Sequence, residues 1–424
     1  MNKLTKSLAI IAKRWPKLYQ PIISSPALTP MVIHEPEPTY VINDIQLTSC
    51  YNRQAEARLQ ADTIPLTCSD VHVYGIALGD AIAALLTRPQ IQSVTVYILN
   101  FAIFKLALSD LADLTWLDDP RVSLTFAGDY RHVHSPFIAM PAELVLAESA
   151  CSRLRDKLYL ALDNSYIEAS HKNNAQAKQH IIATQHALSQ DLDATELLTT
   201  KAKRAYIIAT GPTLEQSYEQ IRARQAGDLI IAVDASLRAL DQQQIMPDIV
   251  ITVDPKPEVC FENIDFNKYQ DVSLVYFPRM SIGTLSQWQG PRLQAYSTSS
   301  LYDEVDKAQP RLRLYSGGSV IHPAIDLAVK MGIKELVLFG ADFGYPKDKT
   351  HAFWPSNFAI PDVNAASSHS VLDWRDQKIT TLPNLRGYLR DLEDYIEQHP
   401  TVTFYSASPQ SAKIDGAVLW NPPH

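Results

Sequence analysis

The sequence predicts an α/β protein with a doubly wound, mostly parallel central sheet and a smaller α/β domain in front of it. From residue 205 onward, short apolar runs alternate with amphipathic stretches, as in parallel sheets with crossover helices. Several of these runs end in glycine or in an acidic residue. Nine of the 14 glycines lie between Gly211 and Gly344. Special backbone geometry is therefore concentrated in the second half of the chain.

The clearest unit of this pattern begins at Leu312. The run Leu312–Tyr315 predicts a strand, and the sequence SGGS after it predicts a turn. A helix begins near Pro323, which a first turn tolerates, and Gly332 ends it before a buried strand at Glu335–Phe339. The loops of such a βαβ unit leave the carboxyl ends of parallel strands, where open α/β sheets bind ligands.

The other elements follow from the same periodicities. Thr213 and Gln216 have the spacing of a capping box and predict a helix to about Arg224. The stretch between Phe277 and Pro310 carries no clear pattern. The remaining predicted elements are strands Val71–Tyr74, Val94–Leu99, Val122–Phe126, Tyr206–Ala209, Leu229–Val233, Ile249–Val253, Val272–Phe277, Lys378–Thr381 and Val402–Tyr405, and helices Ala81–Leu86 and Leu385–Gln398.

These elements divide the chain into five parts. They are a basic N-terminal helix with a proline-rich linker (1–40), a first α/β domain (41–169), a helical connector (170–203), a central domain (204–352) and a C-terminal part that completes it (353–424). In the first domain, the turn Gly75–Asp80 resembles a dinucleotide-binding loop but has one glycine too few, and the next strand runs into Asn100 instead of an acidic residue. This predicts a degenerate Rossmann-like domain, with nucleotide binding as the alternative.

Charge and hydropathy exclude several classes of protein. A net charge of −8 argues against a general nucleic-acid binder. No stretch approaches the ~20 apolar residues of a transmembrane helix, and the N-terminal apolar run is too short for a signal peptide, so we expect a cytoplasmic protein. The N-terminal helix is basic and amphipathic. It either packs on the body of the protein or makes a weak membrane contact.

Polar residues cluster at five predicted strand ends, which meet at one edge of a parallel sheet. Glycines there let backbone N–H groups approach an anion, and carboxylates suit hydroxyl or amine groups. The set predicts a nucleotide or nucleotide-sugar pocket. No D-x-D follows a strand of the central domain, so we expect a metal-independent reaction. The five groups are Gly211-Pro212-Thr213, Asp234 with Ser236, Asp254, Ser316-Gly317-Gly318-Ser319, and Asp342 at the end of Gly340-Ala341-Asp342.

Three histidines are candidates for proton transfer or phosphate contact. His351 follows Thr350 in the loop after Asp342, and His369 lies in the polar stretch beyond it. His322 precedes the helix of the SGGS unit. A transfer from a nucleotide-activated sugar needs a base for the acceptor hydroxyl and donors for the leaving phosphate. We predict His351, Asp254 and His322 as catalytic, and Thr350 and His369 as binding residues.

Five motifs recur in order through the central domain: GPTL (Gly211–Leu214), VDAS (Val233–Ser236), TVDP (Thr252–Pro255), SGGSVIHPAIDLAVKMG (Ser316–Gly332) and GADFGYPKDKTHA (Gly340–Ala352). They resemble motifs of the motility-associated factor (Maf) proteins, which are flagellin glycosyltransferases whose central domain is called 6-hydroxymethylpterin diphosphokinase MptE-like. The resemblance covers about residues 205–416 and is loose in the first domain. It implies transfer of a nonulosonic acid, such as pseudaminic or legionaminic acid, to Ser/Thr of flagellin.

The same region is similar to bacterial sialyltransferases that use CMP-sialic acid. Gly211-Pro212, Ser316-Gly317 and Asp342-Phe343 stand where that group has its nucleotide-site motifs. Asp234 and Asp254 stand where it usually has asparagines. A carboxylate there repels phosphate unless it is neutralised, and the Maf proteins share these aspartates.

The resemblance implies a glycosyltransferase with a CMP-activated nonulosonic acid as co-substrate, no cofactor, and flagellin as partner. One alternative is an ATP-dependent 6-hydroxymethylpterin pyrophosphokinase, which would need Mg²⁺. The other is a non-catalytic accessory protein that binds flagellin.

Overall fold

The chain forms two compact units, Met1–Leu162 (unit 1) and Asp163–His424 (unit 2). The computed structural model describes residues 3–109, 111–112, 114–170, 174–254, 258–346, 349–353 and 369–421. The division lies a few residues before the boundary at 169 expected from the sequence. The helix Ser152–Ser170 runs across it.

Unit 1 is an α/β domain with two small sheets. Strands β4 to β7 form a parallel sheet in the order β6-β5-β4-β7, and β1 to β3 form an antiparallel sheet. The strands are β1 (Met31–Ile33), β2 (Thr39–Ile42), β3 (Ile45–Gln46), β4 (Asp70–Tyr74), β5 (Ser93–Ile98), β6 (Val122–Phe126) and β7 (Phe137–Ala139). The helices are α1 (Lys3–Arg14), α2 (Pro16–Ser24), α3 (Arg53–Asp62), α4 (Asp80–Leu86), α5 (Phe101–Ala107), α6 (Pro141–Val145) and α7 (Ser152–Ser170).

In the turn between β4 and α4, two backbone N–H groups bind a carboxylate of the chain itself. Gly75 and Gly79 have φ of 82° and 87°. The carboxylate of Glu143, from α6, accepts hydrogen bonds from the backbone nitrogens of Ile76, at 2.6 Å, and Ala77. Burial raises the pKa of Glu143 to about 7. The chain thus places its own carboxyl group against the turn, in keeping with a degenerate Rossmann-like domain.

The N-terminal segment packs into the core of unit 1. Ile11 is fully buried, and Leu4 and Leu8 pack against the same core. Arg14 donates to the carbonyl oxygen of Val122 at 2.8 Å. The stretch expected to be a proline-rich linker instead contains the end of α2 and strands β1 and β2, because β-branched residues there pair into a sheet. Membrane contact stays a prediction.

Unit 2 contains the large sheet and the helices that cover it. Its strands are β8 (Leu192–Asp193), β9 (Arg204–Ile208), β10 (Leu229–Val233), β11 (Ile249–Thr252), β12 (Ser273–Tyr276), β13 (Arg292–Ser297), β14 (Leu312–Leu314), β15 (Glu335–Phe339), β16 (Ser370–Leu372), β17 (Lys378–Thr380), β18 (Thr403–Ser406) and β19 (Val418–Leu419). Its further helices are α8 (Asn174–Ala187), α9 (Tyr218–Arg222), α10 (Leu237–Gln242), α11 (Glu258–Phe261), α12 (Ile282–Leu285), α13 (Asp303–Ala308), α14 (Ile321–Lys330) and α15 (Pro383–Gln398).

The large sheet is parallel throughout its described pairs and doubly wound, which confirms the predicted fold class. Its order is β14-β13-β12-β11-β10-β9-β15-β18-β19, with β8 also paired to β13. Strands β9 to β14 lie side by side in the order of the sequence, with β14 at the edge of the sheet. Helix α14 then connects β14 to β15, which pairs with the other side of β9, and β18 follows β15. The strand order therefore reverses between β9 and β15, and such a switch point opens a crevice at the carboxyl ends.

Side chains of the central strands alternate between two buried faces. Ile207 and Ile231 face the cluster that contains α14 and α15, whereas Ile208 and Ile230 face the one that contains α9 and α10. Eight of the ten residues of α14 are buried. This double burial explains why the strands are continuous apolar runs in the sequence.

Two elements of unit 2 differ from the prediction. The connector expected to be helical contains a short strand, β8, which pairs with β13 of the large sheet. Strand β13 itself lies in the stretch of sequence that carried no clear pattern. The capping box at Thr213 does not form. A 3-10 helix spans Pro212–Gln216, and the Thr213 hydroxyl donates to Asp342 instead of capping a helix.

Candidate functional site

A cavity of about 140 Å³ lies at the switch point of the large sheet. The loops after β9 and β15, the N-terminus of α14 and the first turn of α15 line it. The structure therefore brings together six of the residues predicted from the sequence. They are Gly211, Ser319, Asp342, Phe343, Thr350 and His351.

The loops after β9 and β15 interlock beneath this cavity. The Gly211 nitrogen donates to the carbonyl oxygen of Gly340 at 2.8 Å. A Cβ atom on Gly211 would lie 2.5 Å from both that oxygen and Oδ2 of Asp342. Gly340 has φ of 63°, a left-handed conformation that suits glycine. Both glycines are therefore explained by the close approach of the two loops.

Asp342 joins these loops through its carboxyl group. It is buried, and its Oδ2 accepts from the Thr213 nitrogen at 2.9 Å while its Oδ1 accepts from the Thr213 hydroxyl. Burial raises the pKa of Asp342 to about 6, although both Thr213 hydrogen bonds favour the charged form. Asp342 thus holds the predicted Gly211-Pro212-Thr213 turn against the loop after β15.

His351 is held at the cavity by hydrogen bonds from the residues around it. The Ala352 nitrogen donates to the carbonyl oxygen of Thr210 at 2.8 Å. Glu215 accepts from the Phe353 nitrogen at 2.8 Å and also pairs with Lys349. Burial lowers the pKa of His351, which favours the neutral ring. A neutral imidazole that faces a cavity can accept a proton.

The SGGS turn packs against α15. Gly318 has φ of 87°, and a Cβ there would lie 2.5 Å from the ring of Tyr388. The Ser316 hydroxyl contacts that of Ser297 at 2.5 Å. Ser319 lines the cavity, whereas Ser316, Gly317 and Gly318 do not. Their nucleotide-binding roles stay predictions.

His322 is buried between the SGGS turn and α15 and does not line the cavity. Its Nε2 contacts the backbone carbonyl oxygen of Tyr388 at 3.0 Å. Burial lowers the pKa of His322 to about 4. The ring is therefore neutral near pH 7. Its predicted catalytic role is not tested by this placement.

The acidic residues after β10 and β11 lie outside the cavity lining. Asp234 is buried, and its oxygens accept from the Ala235 nitrogen at 2.7 Å and the Thr252 hydroxyl at 2.6 Å. Burial, with a smaller contribution from Asp254, raises the pKa of Asp234 to about 6. The Ser236 hydroxyl donates to the carbonyl oxygen of Val233 at 2.7 Å. Asp254 is exposed, and the binding roles of all three stay predictions.

His369 lies beside α15 and outside the cavity lining. Its Nδ1 is 3.1 Å from a guanidinium nitrogen of Arg386, and its carbonyl oxygen accepts from the Thr381 nitrogen at 3.1 Å. Its predicted role as a binding residue therefore stays a prediction.

Sequence patterns missed several cavity residues. Thr210, Val320, Tyr345 and Leu385 line the cavity as well. Thr210 stands next to the predicted Gly211, and Tyr345 follows Gly344 within the GADFGYPKDKTHA motif, so both could have been included on that signal. Leu385 belongs to α15, more than 30 residues beyond His351, and no local pattern connects it with the loops. Among the described residues, no group of three or more His, Cys, Asp or Glu side chains is arranged to hold a metal ion.

Residues 178–348 match the family model described as 6-hydroxymethylpterin diphosphokinase MptE-like. This part of the chain is similar in sequence to MptE-like domains. The match confirms the MptE-like domain expected from the motifs, and it includes Asp342 but ends before His351. None of the curated proteins matches the chain. In the described part of the chain, no helix has the length and apolar character needed to cross a membrane.

Two solved structures show weak similarity to the chain. A Maf glycosyltransferase from Magnetospirillum magneticum AMB-1 gives a TM-score of 0.45 at 12% identity, over 98% of this chain and 76% of that one. A spermidine synthase from Thermotoga maritima gives a TM-score of 0.24 at 13% identity, over 28% of this chain and 46% of that one. At these identities and scores, neither similarity indicates what this chain binds or does.

Proposed function

We propose that this MptE-like chain is a cytoplasmic glycosyltransferase that transfers a nonulosonic acid from a CMP-activated donor to Ser/Thr of flagellin, without a metal ion. The donor and acceptor come from the motif resemblance to Maf proteins. One geometric observation carries the proposal. His351 and the N-terminus of α14 face the same cavity at the switch point of the sheet.

The N-terminus of α14 supplies the place for phosphate. Ser319, Val320 and Ile321 line the cavity at the start of this ten-residue helix. A helix N-terminus favours an anion through the helix dipole and through first-turn N–H groups that lack intrahelical partners. In α14 the His322 nitrogen already donates to the Ser319 carbonyl oxygen at 3.1 Å, and Pro323 has no N–H. The cavity of about 140 Å³ is smaller than the ~300–1,000 Å³ clefts that hold whole drug-sized ligands. We assign it to the phosphate and the adjoining part of the sugar.

His351 is the proton acceptor in this proposal. The acceptor hydroxyl oxygen attacks the anomeric carbon of the sugar, and the bond from that carbon to the phosphate oxygen breaks. CMP leaves with the electron pair, and the hydroxyl proton passes to the neutral His351. Burial, which lowers the pKa of His351, keeps the ring available as a base at neutral pH.

Calorimetric titration of the full chain with CMP and with ATP, each with and without Mg²⁺, tests the donor class. We expect CMP to bind without metal. Binding of ATP alone, and only with Mg²⁺, would support the 6-hydroxymethylpterin pyrophosphokinase alternative. Binding of flagellin with no response to either nucleotide would support the accessory-protein alternative.

A transfer assay on purified flagellin, read by intact mass, tests the role of His351. Loss of a general base typically lowers turnover by ~10²–10⁴-fold, and we expect this range for His351→Gln. His180→Gln is the matched control, because His180 is exposed and lies outside the cavity lining. Equal rates for the two variants would remove His351 from the mechanism.

A further inference from the structure

The two glycines of the SGGS turn leave room for helix α15. A Cβ atom on Gly318 would lie 2.5 Å from the ring of Tyr388, and one on Gly317 would lie 3.1 Å from Cβ of Asp391. Contacts this short are rare for real side chains. The backbone of the turn before α14 thus packs directly against side chains from the middle of α15. Because this contact is close, a small movement of either element displaces the other.

His322 makes the polar contact at this junction. It is 1% exposed, and its Nε2 lies 3.0 Å from the carbonyl oxygen of Tyr388. Because a carbonyl oxygen only accepts, the neutral ring carries its proton on Nε2 and donates it to α15. The other ring nitrogen, Nδ1, lies 3.0 Å from the position of a Cβ on Gly317 and so faces the SGGS turn.

A second contact holds α15 against α14, at a point farther from the cavity than Tyr388. The hydroxyl of Tyr395 donates to Asp326 of α14 at 2.6 Å, and Asp326 also accepts from the Tyr315 nitrogen at 2.7 Å. Tyr388 lies two helical turns closer to the N-terminus of α15 than Tyr395. Leu385, one turn closer again, lines the cavity.

The cavity wall thus has two parts that His322 connects. The first is Ser319–Ile321, at the start of α14, and the second is Leu385, at the start of α15. We propose that His322 is a positioning residue: its Nε2–H holds α15 against the SGGS turn and so sets the distance between these two parts of the donor-binding wall. Its effect on transfer rests on the proposed function, whereas its effect on α15 does not.

Two amide substitutions separate the roles of the ring nitrogens. In His322→Gln the side-chain amide reaches the position of Nε2 and can still donate to Tyr388. In His322→Asn the amide reaches only the position of Nδ1, so the bond to Tyr388 is lost although polarity and burial are similar. Both variants lack an imidazole, so a catalytic base would be lost equally in each.

Hydrogen exchange of the full chain, without substrate, is the first measurement. We expect peptides from residues 383–391 to exchange faster in His322→Asn than in the unchanged protein. Peptides of His322→Gln should match the unchanged protein, and peptides of β4 in unit 1 should not change in either variant. Equal protection of α15 in all three proteins would overturn the proposal, whatever the chain catalyses.

Donor kinetics with flagellin are the second measurement. We expect His322→Asn to raise KM for the CMP-sugar donor roughly tenfold, equivalent to one net hydrogen bond, with kcat little changed. His322→Gln should restore KM and keep the pH profile of the unchanged protein. If both variants lose kcat to the same extent, His322 acts in the chemistry and the positioning role is wrong. If the unchanged protein transfers nothing, the proposed function fails, and hydrogen exchange still decides the role of His322.

Discussion

At the scale of single residues, two buried carboxyl groups stand out at the strand ends of unit 2. Asp234 and Asp342 are both buried, and burial raises the pKa of each to about 6. Each carboxyl accepts two hydrogen bonds from neighbouring residues. These bonds favour the charged form, yet desolvation is the larger effect. Both residues therefore connect loops, but burial of their charged form lowers the free energy of unfolding at neutral pH.

We expect Asp234→Asn to stabilise the protein at pH 7.5. The asparagine oxygen can accept from the Ala235 nitrogen, and its amide can donate to the Thr252 hydroxyl, so both contacts survive without a buried charge. A shift of about two pKa units corresponds to about 3 kcal/mol, which is the upper limit of the gain.

The sign of the pH dependence follows from the raised pKa. The folded state binds the Asp234 proton more tightly than the unfolded state, so the contribution of Asp234 to stability falls as pH rises from about 4 to about 6. Urea unfolding at pH 7.5 and pH 4.5 should therefore show a large difference between variant and parent only at pH 7.5. An equal difference at both pH values would contradict this account.

Gly211→Ala should destabilise the protein because its Cβ would overlap Asp342 and the Gly340 carbonyl. Overpacking of this kind typically costs ~1–3 kcal/mol, and CMP binding should weaken as the loops separate. Gly283→Ala is the control, since nothing lies closer than 3.6 Å to its Cβ position. Thermal unfolding and CMP titration of both variants measure the two effects. If Gly211→Ala changed neither the melting temperature nor CMP binding, the loops would approach each other less closely than described.

At the scale of elements, the two glycine turns of the chain differ in what occupies them. The turn before α4 in unit 1 is filled by Glu143. The turn before α14 in unit 2 is packed on one side by α15, and its last residue, Ser319, faces the cavity. The first arrangement satisfies the turn internally. The second leaves the start of a ten-residue helix available at the switch point.

The role of Glu143 in the first turn can be tested by two substitutions. Both backbone nitrogens donate to the same oxygen, Oε1, which glutamine retains. Glu143→Ala leaves two buried N–H groups without this acceptor, at ~1–3 kcal/mol each, whereas Glu143→Gln should be near neutral. Thermal unfolding of the full chain compares them. Similar losses in both variants would mean that the negative charge, and not the acceptor, holds the turn.

At the scale of the whole molecule, each unit has a core of its own. Val73, Val96 and Ile98 belong to the core of unit 1, and Ile207 and Leu338 belong to that of unit 2. The chain crosses the boundary between the two units within α7. Because each unit has its own core, we expect each to unfold in a cooperative transition of its own.

We expect residues 1–162 to fold alone and to unfold in one cooperative transition, because the core and the β6-β5-β4-β7 sheet lie within this segment. Residues 1–130 are the control, since they lack β7, which pairs with β4. Circular dichroism during heating distinguishes the two. A non-cooperative transition for residues 1–162 would show that unit 1 depends on the rest of the chain.

The sequence by itself determined the fold class and most strand positions. Buried parallel strands such as Leu229–Val233 and Glu335–Phe339 are continuous apolar runs, and their predicted bounds agree with β10 and β15. The glycine and the acid that follow two of the predicted strands, Gly211 and Asp342, both line the cavity at one sheet edge. Local periodicity is sufficient for such elements because both faces of the strand are buried.

Only the tertiary structure decided which strand ends meet and which polar groups are already used. Strand order placed the loops of β9 and β15 together, although they are more than 100 residues apart. The Thr213 hydroxyl binds Asp342 instead of capping a helix, and His322 binds α15 outside the cavity lining. These contacts join distant segments of the chain, so their partners cannot be inferred from the spacing of residues within any one segment.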